Sequence, residues 1–153
     1  EPVDIRQIAE AAIDLLIPQL KEKTVSARLN LPAQLSYALA DKALIQRVLI
    51  NLMGNALKFV PQNTGQIRIS SFEFADNIQI DVSDNGIGMS EQDASRIFDE
   101  FYRVDNTINQ KVKGTGLGLT LVKNIIQAHQ GRIWVESRLN QGSTFSFSLP
   151  KVK

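Results

Sequence analysis

The 153-residue chain contains no cysteine, which excludes disulfides and thiolate metal sites and fits a reducing compartment. No run of apolar residues approaches the length of a membrane span, and the N-terminus lacks a signal-peptide pattern. Charge of one sign is also missing: 17 Lys and Arg face 16 Asp and Glu, and the net charge of +1 gives no reason to invoke nucleic acid or a membrane surface. Internal repeats and low-complexity tracts are absent. With 43% hydrophobic and 22% charged residues, the chain is long enough for one well-buried core and short for two. It begins at Glu1-Pro2 without a methionine and stops abruptly at Lys151-Val152-Lys153, which reads as a piece of a longer protein. One soluble domain over residues 1–153 is the expectation.

Periodicity assigns the elements. Ile5, Ile8, Ala9, Ala12, Ile13, Leu16 and Leu20 recur at helical spacing, predicting a helix from Val3 to Leu20 that starts at Pro2 and is kinked or loosened by Pro18. Thr24 to Leu31 alternates as a strand stopped by Pro32, and Leu35 to Ala40 reads as a second short strand. Asp41 is a good N-cap for a long helix from Lys42 to Phe59. Gln66 to Ala75 and Asn77 to Ser83 read as adjacent strands. In the first, Phe72 and Phe74 fall out of phase with Ile67 and Ile69, which predicts a bulge near Ser70-Ser71. Ser90 caps a short helix running to about Phe98. Arg132 to Leu139 and Ser143 to Leu149 form a closing hairpin in which Trp134 is a partly exposed packing residue.

Within that frame, the alternation of Ile78, Ile80 and Val82 continues to Asp84, so a strand delivers a carboxylate to the side expected to be buried. A buried charge needs hydrogen-bond donors, and Gly86 and Gly88 follow at once, where the backbone can turn sharply and approach another group. Such an acceptor suits a flat, donor-bearing edge such as the amino group of adenine; a hairpin turn capped by Asp84 fits the same residues. Ser143 lies in phase with Phe145, Phe147 and Leu149, so its hydroxyl is expected at the buried end, where it could bond Asp84 or a water.

On the Lys42–Phe59 helix the apolar positions cover an arc of about 200°, leaving Arg47, Asn51, Asn55 and Lys58 in a polar stripe about 80° wide. The stripe holds no carboxylate. Amide oxygens can help coordinate a hard cation and lysine places charge on phosphate, although amides capping neighbouring loops would look the same. Gly114-Thr115-Gly116-Leu117-Gly118-Leu119 leads into another helix, whose N-terminus would offer N–H groups to an anion. It lacks the lysine of a P-loop, and the aperiodic Val104–Lys113 before it reads as a lid. His129, the only histidine, sits in a last helical turn before Gly131 and is read as structural, favourable to the helix dipole and followed by a C-cap glycine.

Four stretches in this order, Asn51–Phe59, Asp84–Gly88, Phe98–Arg103 and Gly114–Leu119, closely resemble the N, G1, F and G2 boxes of the catalytic ATP-binding domain of two-component sensor histidine kinases. The resemblance covers essentially the whole chain. It implies the Bergerat-type ATP-binding fold, a two-layer α/β sandwich with a mixed sheet, with a flexible lid over about residues 99–116. It implies Mg²⁺ on Asn55, phosphates near Asn51 and Lys58, Phe59 beside the nucleotide, and Asp84 as acceptor for the adenine amino group. Gly86 and Gly88, with Ile87 between them, match the turn under the base. Gly114, Gly116 and Gly118, with Thr115, Leu117 and Leu119, match the phosphate end of the lid, and Arg103 is a looser match to a cation beside it.

What the resemblance further implies is transfer of the γ-phosphoryl group of ATP to a histidine on a separate helical dimerisation domain, with a response regulator downstream. It places the chain in the cytoplasm or on the cytoplasmic side of a membrane-anchored parent, the parent a homodimer through the helical domain and the piece itself monomeric. His129 matches no acceptor, since no acidic residue stands beside it. Gyrase-type, chaperone-type and mismatch-repair ATPases share related boxes but need a glutamate on the metal-binding helix, and none stands near Asn51 and Asn55. A nucleotide-free interaction module and an anti-sigma-type serine kinase complete the alternatives.

Overall fold

The computed structural model describes residues 1–103 and 118–152. Helix α1 (Ile5–Lys23) opens at Asp4, whose carboxylate accepts the Arg6 N–H at 2.9 Å, and turns Ile5, Ile8, Ala9, Ala12, Leu16 and Leu20 inward. Two expectations are corrected here. Pro2–Val3 form a short strand, β1, rather than the first helical turn, and the helix passes through Pro18 to Lys23. Pro18 lies on the exposed side, where water can take the carbonyl that its missing N–H leaves unpaired. The chain leaves α1 through Thr24 in the left-handed region, at φ 56°.

Strand β2 (Ser26–Asn30) follows, then β3, which is only Ala38–Leu39 rather than the whole of Leu35–Ala40, paired with the two-residue β1 and bridged at Ala38 to Lys151. Helix α2 runs from Lys42 to Phe59 with Asp41 as N-cap, its carboxylate accepting the Leu44 N–H at 3.1 Å. β4 (Gln66–Glu73) and β5 (Asn77–Asp84) form a hairpin whose pairing is unbroken from Ile67 opposite Asp84 to Glu73 opposite Ile78. The expected bulge is therefore absent. Ser71 holds the inward phase after Ile67 and Ile69, while Phe72 and Phe74 face outward, 49% and 52% exposed. Ser71 Oγ is buried with no hydrogen-bond partner among the described residues.

Helix α3 (Glu91–Arg96) is capped by Ser90 Oγ, which accepts the Asp93 N–H. Helix α4 (Gly118–Ala128) precedes the hairpin of β6 (Ile133–Arg138) and β7 (Gly142–Pro150). α4 ends with Gln130 at φ 61°, the Gly131 N–H on the Ile126 carbonyl and the Gln130 N–H on that of Gln127. The left-handed cap residue is thus Gln130. Gly131 is needed for space instead, since a Cβ there would lie 1.9 Å from the Ser148 carbonyl oxygen.

The five-stranded sheet has the order β2-β4-β5-β7-β6, with β2 and β4 parallel and the other pairs antiparallel. Its inner face supplies Ile67, Ile69, Ile78, Ile80, Val82, Phe145, Phe147 and Leu149 to a core shared with α1, α2 and α4. The result is a two-layer α/β sandwich with a mixed sheet. β5 lies at its centre, so the end of β5 is where a side chain can leave the core and still have strands on both sides.

Candidate functional site

Asp84 ends β5, between Ile67 of β4 and Ser143 of β7. Alternation puts it in the inward phase, yet its place at the strand end leaves it partly exposed rather than sealed. The Gly86 N–H donates to its Oδ1 at 2.8 Å, and the backbone N–H of Ser143 lies near enough to favour the ionised carboxylate. Burial still wins over both groups and pushes the carboxyl pKa above the usual carboxylate range.

Glycines clear the space around this carboxylate. A Cβ on Gly86 would lie 2.9 Å from both Asp84 Oδ1 and the Phe59 carbonyl oxygen, which places the end of α2 against the turn. Gly142, at φ 101°, has the Asp84 carbonyl oxygen where a Cβ would come within 2.0 Å. The turn itself is tied to the β6–β7 hairpin: Ser137 Oγ accepts the Met89 N–H at 2.8 Å and sits 2.7 Å from Ser143 Oγ. The Ser143 hydroxyl is therefore engaged by Ser137 rather than by Asp84, the first of the two partners expected for it, and the residue meets Asp84 as its cross-strand neighbour.

The polar stripe of α2 reaches the same end of the molecule. Asn51 Nδ2 donates back to the Arg47 carbonyl at 2.9 Å, leaving Oδ1 toward Gly118 at the start of α4, where a Cβ would stand 3.5 Å away. No hydrogen bond among the described residues engages the Asn55 amide. Lys58 Nζ lies 5.1 Å from the centre of the Phe59 ring. Its pKa is lowered first by burial and then by the charge of Arg103, so the structure brings two cations together. Phe98 packs edge-on against Phe145 at 6.0 Å, and the Thr120 hydroxyl donates to the Phe98 carbonyl at 3.1 Å, joining this segment to α4. Gly114, Thr115, Gly116, Leu117 and most of the lid lie outside the described residues; Leu119 packs against the core from the first turn of α4.

Residues 40–153 match the family described as histidine kinase-, DNA gyrase B- and HSP90-like ATPases. The chain belongs to this family. It is 34% identical over 150 residues to the adaptive-response sensory kinase SasA of Synechocystis sp., covering 97% of this chain and 38% of that protein. The chain thus spans less than two-fifths of that relative's length. Among solved structures it resembles full-length ShkA in complex with AMPPNP (TM-score 0.87, 28% identity, 100% of this chain and 31% of that one). It also resembles the nucleotide-free catalytic domain of histidine kinase ThkA (TM-score 0.85, 28% identity, 100% and 98%). ThkA is also solved in complex with the response regulator TrrA (TM-score 0.82, 25% identity, 99% of this chain and 42% of that one).

Family membership sharpens what the geometry can do. Among the described residues no group of three or more His, Asp or Glu could hold a metal ion. Asn55 offers one neutral oxygen, which fits only a hard cation that takes the rest of its shell from water and a bound polyphosphate. A cavity of about 770 Å³ opens from Asp84 toward α3 and the β6–β7 hairpin, past Met89, Ala94 and Ser137. That volume lies in the usual range for ligand clefts. The α2 stripe does not line it. Sequence reasoning missed Ser137, although its inward phase after Ile133 and Val135 was there to be read. It also missed Asn85, whose Oδ1 accepts the Gln66 N–H at 2.7 Å and whose Nδ2 donates to the Thr64 carbonyl at 2.9 Å.

Proposed function

We propose that this ATPase-family chain binds Mg-ATP and donates the γ-phosphoryl group to a histidine on a separate helical phosphoacceptor domain, within two-component signal transduction. The observation that carries the reading is the Asp84 carboxylate at the end of β5, bonded by the Gly86 N–H in space that this glycine keeps open, beside the end of a helix with an acid-free amide and cation stripe. Asp84 accepts the purine amino group. Asn55 helps hold Mg²⁺, whose role is to neutralise charge on the phosphates. Asn51, Lys58 and Arg103 hold the phosphate oxygens, with Phe59 beside the nucleotide, and the glycine-rich segment ending at Gly118 completes the anion site. In the transfer, the bond from the γ-phosphorus to the β,γ-bridging oxygen breaks, a bond from phosphorus to the acceptor imidazole nitrogen forms, and ADP leaves.

The acceptor lies outside this chain. Both ring nitrogens of His129 already face backbone groups, Asp41 N–H and the Ile125 carbonyl. α2 carries no Asp or Glu between Lys42 and Phe59, so it lacks a carboxylate base for activating water, and the isolated chain should hydrolyse ATP very slowly. The naming of SasA as a sensory kinase, the AMPPNP complex of ShkA and the ThkA–TrrA complex support kinase chemistry, an adenine nucleotide and a response-regulator partner for this chain too. A homodimeric parent, a monomeric catalytic piece and a place on the cytoplasmic side complete the proposal. The test adds labelled ATP and the parent's helical domain to the chain: acid-labile label on that domain is expected. Rapid hydrolysis with no labelled protein would instead favour a gyrase-like or chaperone-like ATPase.

A further inference from the structure

The one histidine makes a long-range bond that neither helix capping nor phosphoryl transfer explains. Nδ1 of His129 lies 2.8 Å from the Ile125 carbonyl oxygen, which can only accept, so the proton is on Nδ1. Nε2 therefore carries the lone pair, and it accepts the Asp41 N–H at 3.0 Å. α4 does not need this residue as a cap, because the Gln130 and Gly131 N–H groups already meet the Gln127 and Ile126 carbonyls. Asp41 caps α2 through its side chain, and its own N–H precedes the helix and has His129 as its acceptor.

The opposite end of α4 touches α2 as well, where Gly118 stands beside Asn51 Oδ1. The 11 residues of α4 rise roughly 16 Å, and Asp41 to Asn51 on α2 is about 15 Å at the same rise per residue. The two helices thus run antiparallel over matched lengths with a contact at each end. Between the ends, Val122, Ile125 and Ile126 are buried, and their apolar packing is less directional than a hydrogen bond. We infer that His129 is a positioning residue: its bond to Asp41 sets the axial register of α4 on α2 and so holds the Gly118 end beside Asn51. A slip of one residue would move that end by about 1.5 Å. The consequence for ligand binding rests on the nucleotide reading proposed above; the register does not.

The test compares His129→Leu, which leaves the exposed Asp41 N–H to water, with His129→Gln, which keeps an acceptor on α4. His129→Asn, whose shorter amide falls short of Asp41, replaces the leucine variant if that one does not fold. Without ligand, the backbone resonance of Gly118 and the side-chain amide of Asn51 should shift in His129→Leu and return in His129→Gln. Shifts confined to the neighbourhoods of residues 41 and 129 would overturn the inference. With ligand, His129→Leu should weaken ATP by about three- to tenfold while leaving adenosine unchanged, a loss the size of one hydrogen bond. Equal weakening of both ligands would also overturn it. If the native chain binds neither ATP nor adenosine, the proposed function fails, and the ligand-free spectra still decide the register.

Discussion

Replacing Asp84 by asparagine keeps the size of the side chain and removes the charge and one acceptor. One oxygen remains for the Gly86 N–H, bonded at 2.8 Å in the native chain, while the new NH₂ faces either the Ser143 N–H or the purine amino group, donor against donor. A hydrogen bond to a charged partner contributes about 1.5–3 kcal/mol, so ATP affinity should fall by roughly 10- to 150-fold. Stability should change little, because the variant also relieves the burial that raises the native carboxyl pKa. The folded-state value lies above the unfolded one, so the ionised carboxylate is a cost at neutral pH that is relieved as pH falls through the folded-state value. The same protonation removes an acceptor for the base. ATP affinity of the native chain should therefore begin to fall on acidification at a pH above the ordinary carboxylate range, and this step should be missing from Asp84→Asn. Calorimetric titration of Mg-ATP across pH, with melting curves for both proteins, measures all of this. Unchanged affinity in a folded Asp84→Asn protein would refute the assignment of the base to this carboxylate.

Four other predictions concern different parts of the molecule. Ser71→Ala removes a buried hydroxyl with no partner and should stabilise the chain by about 1 kcal/mol, seen as a melting temperature higher by roughly 2–4 °C; a lower one would mean the hydroxyl is bonded. Gly142→Ala should destabilise by about 3 kcal/mol or more, since φ is 101° and the Cβ would meet the Asp84 carbonyl oxygen at 2.0 Å. Gly54→Ala, with nothing within 4 Å of the added Cβ in the middle of α2, should stabilise by about 0.5–1 kcal/mol, and chemical denaturation of both glycine variants checks the contrast. Lys58→Met should weaken ATP far more than adenosine, with an effect that shrinks as salt is added, because the charge that Arg103 crowds serves phosphate rather than the base; equal loss for both ligands contradicts that role.

Local signals carried much of the fold. Asp41 and the apolar arc of α2 were enough to place that helix with the bounds the structure shows, because cap and periodicity are properties of consecutive residues. The same holds for the inward phase of Asp84, which follows from counting along one strand. What failed depended on partners elsewhere. Phe72 and Phe74 drew the expectation of a bulge because aromatics usually bury, whereas unbroken pairing with β5 put Ser71 inside and both rings outside. Phase alone directed the Ser143 hydroxyl to Asp84 or a water beside it, and the cross-strand pairing of Ser137 with Ser143 puts it against the Ser137 hydroxyl. The closeness of Arg103 to Lys58 and the bond from Asp41 to His129 join distant parts of the chain, and no periodicity in one segment encodes them.

The most direct measurement of the central claim is a crystal structure of this chain with Mg²⁺ and a non-hydrolysable ATP analogue. The account predicts the purine amino group on the Asp84 carboxylate, the metal on Asn55, and the phosphates between α2 and the Gly118 end of α4. An analogue seated elsewhere, with Asp84 facing only water and Asn55 turned from the metal, would contradict it.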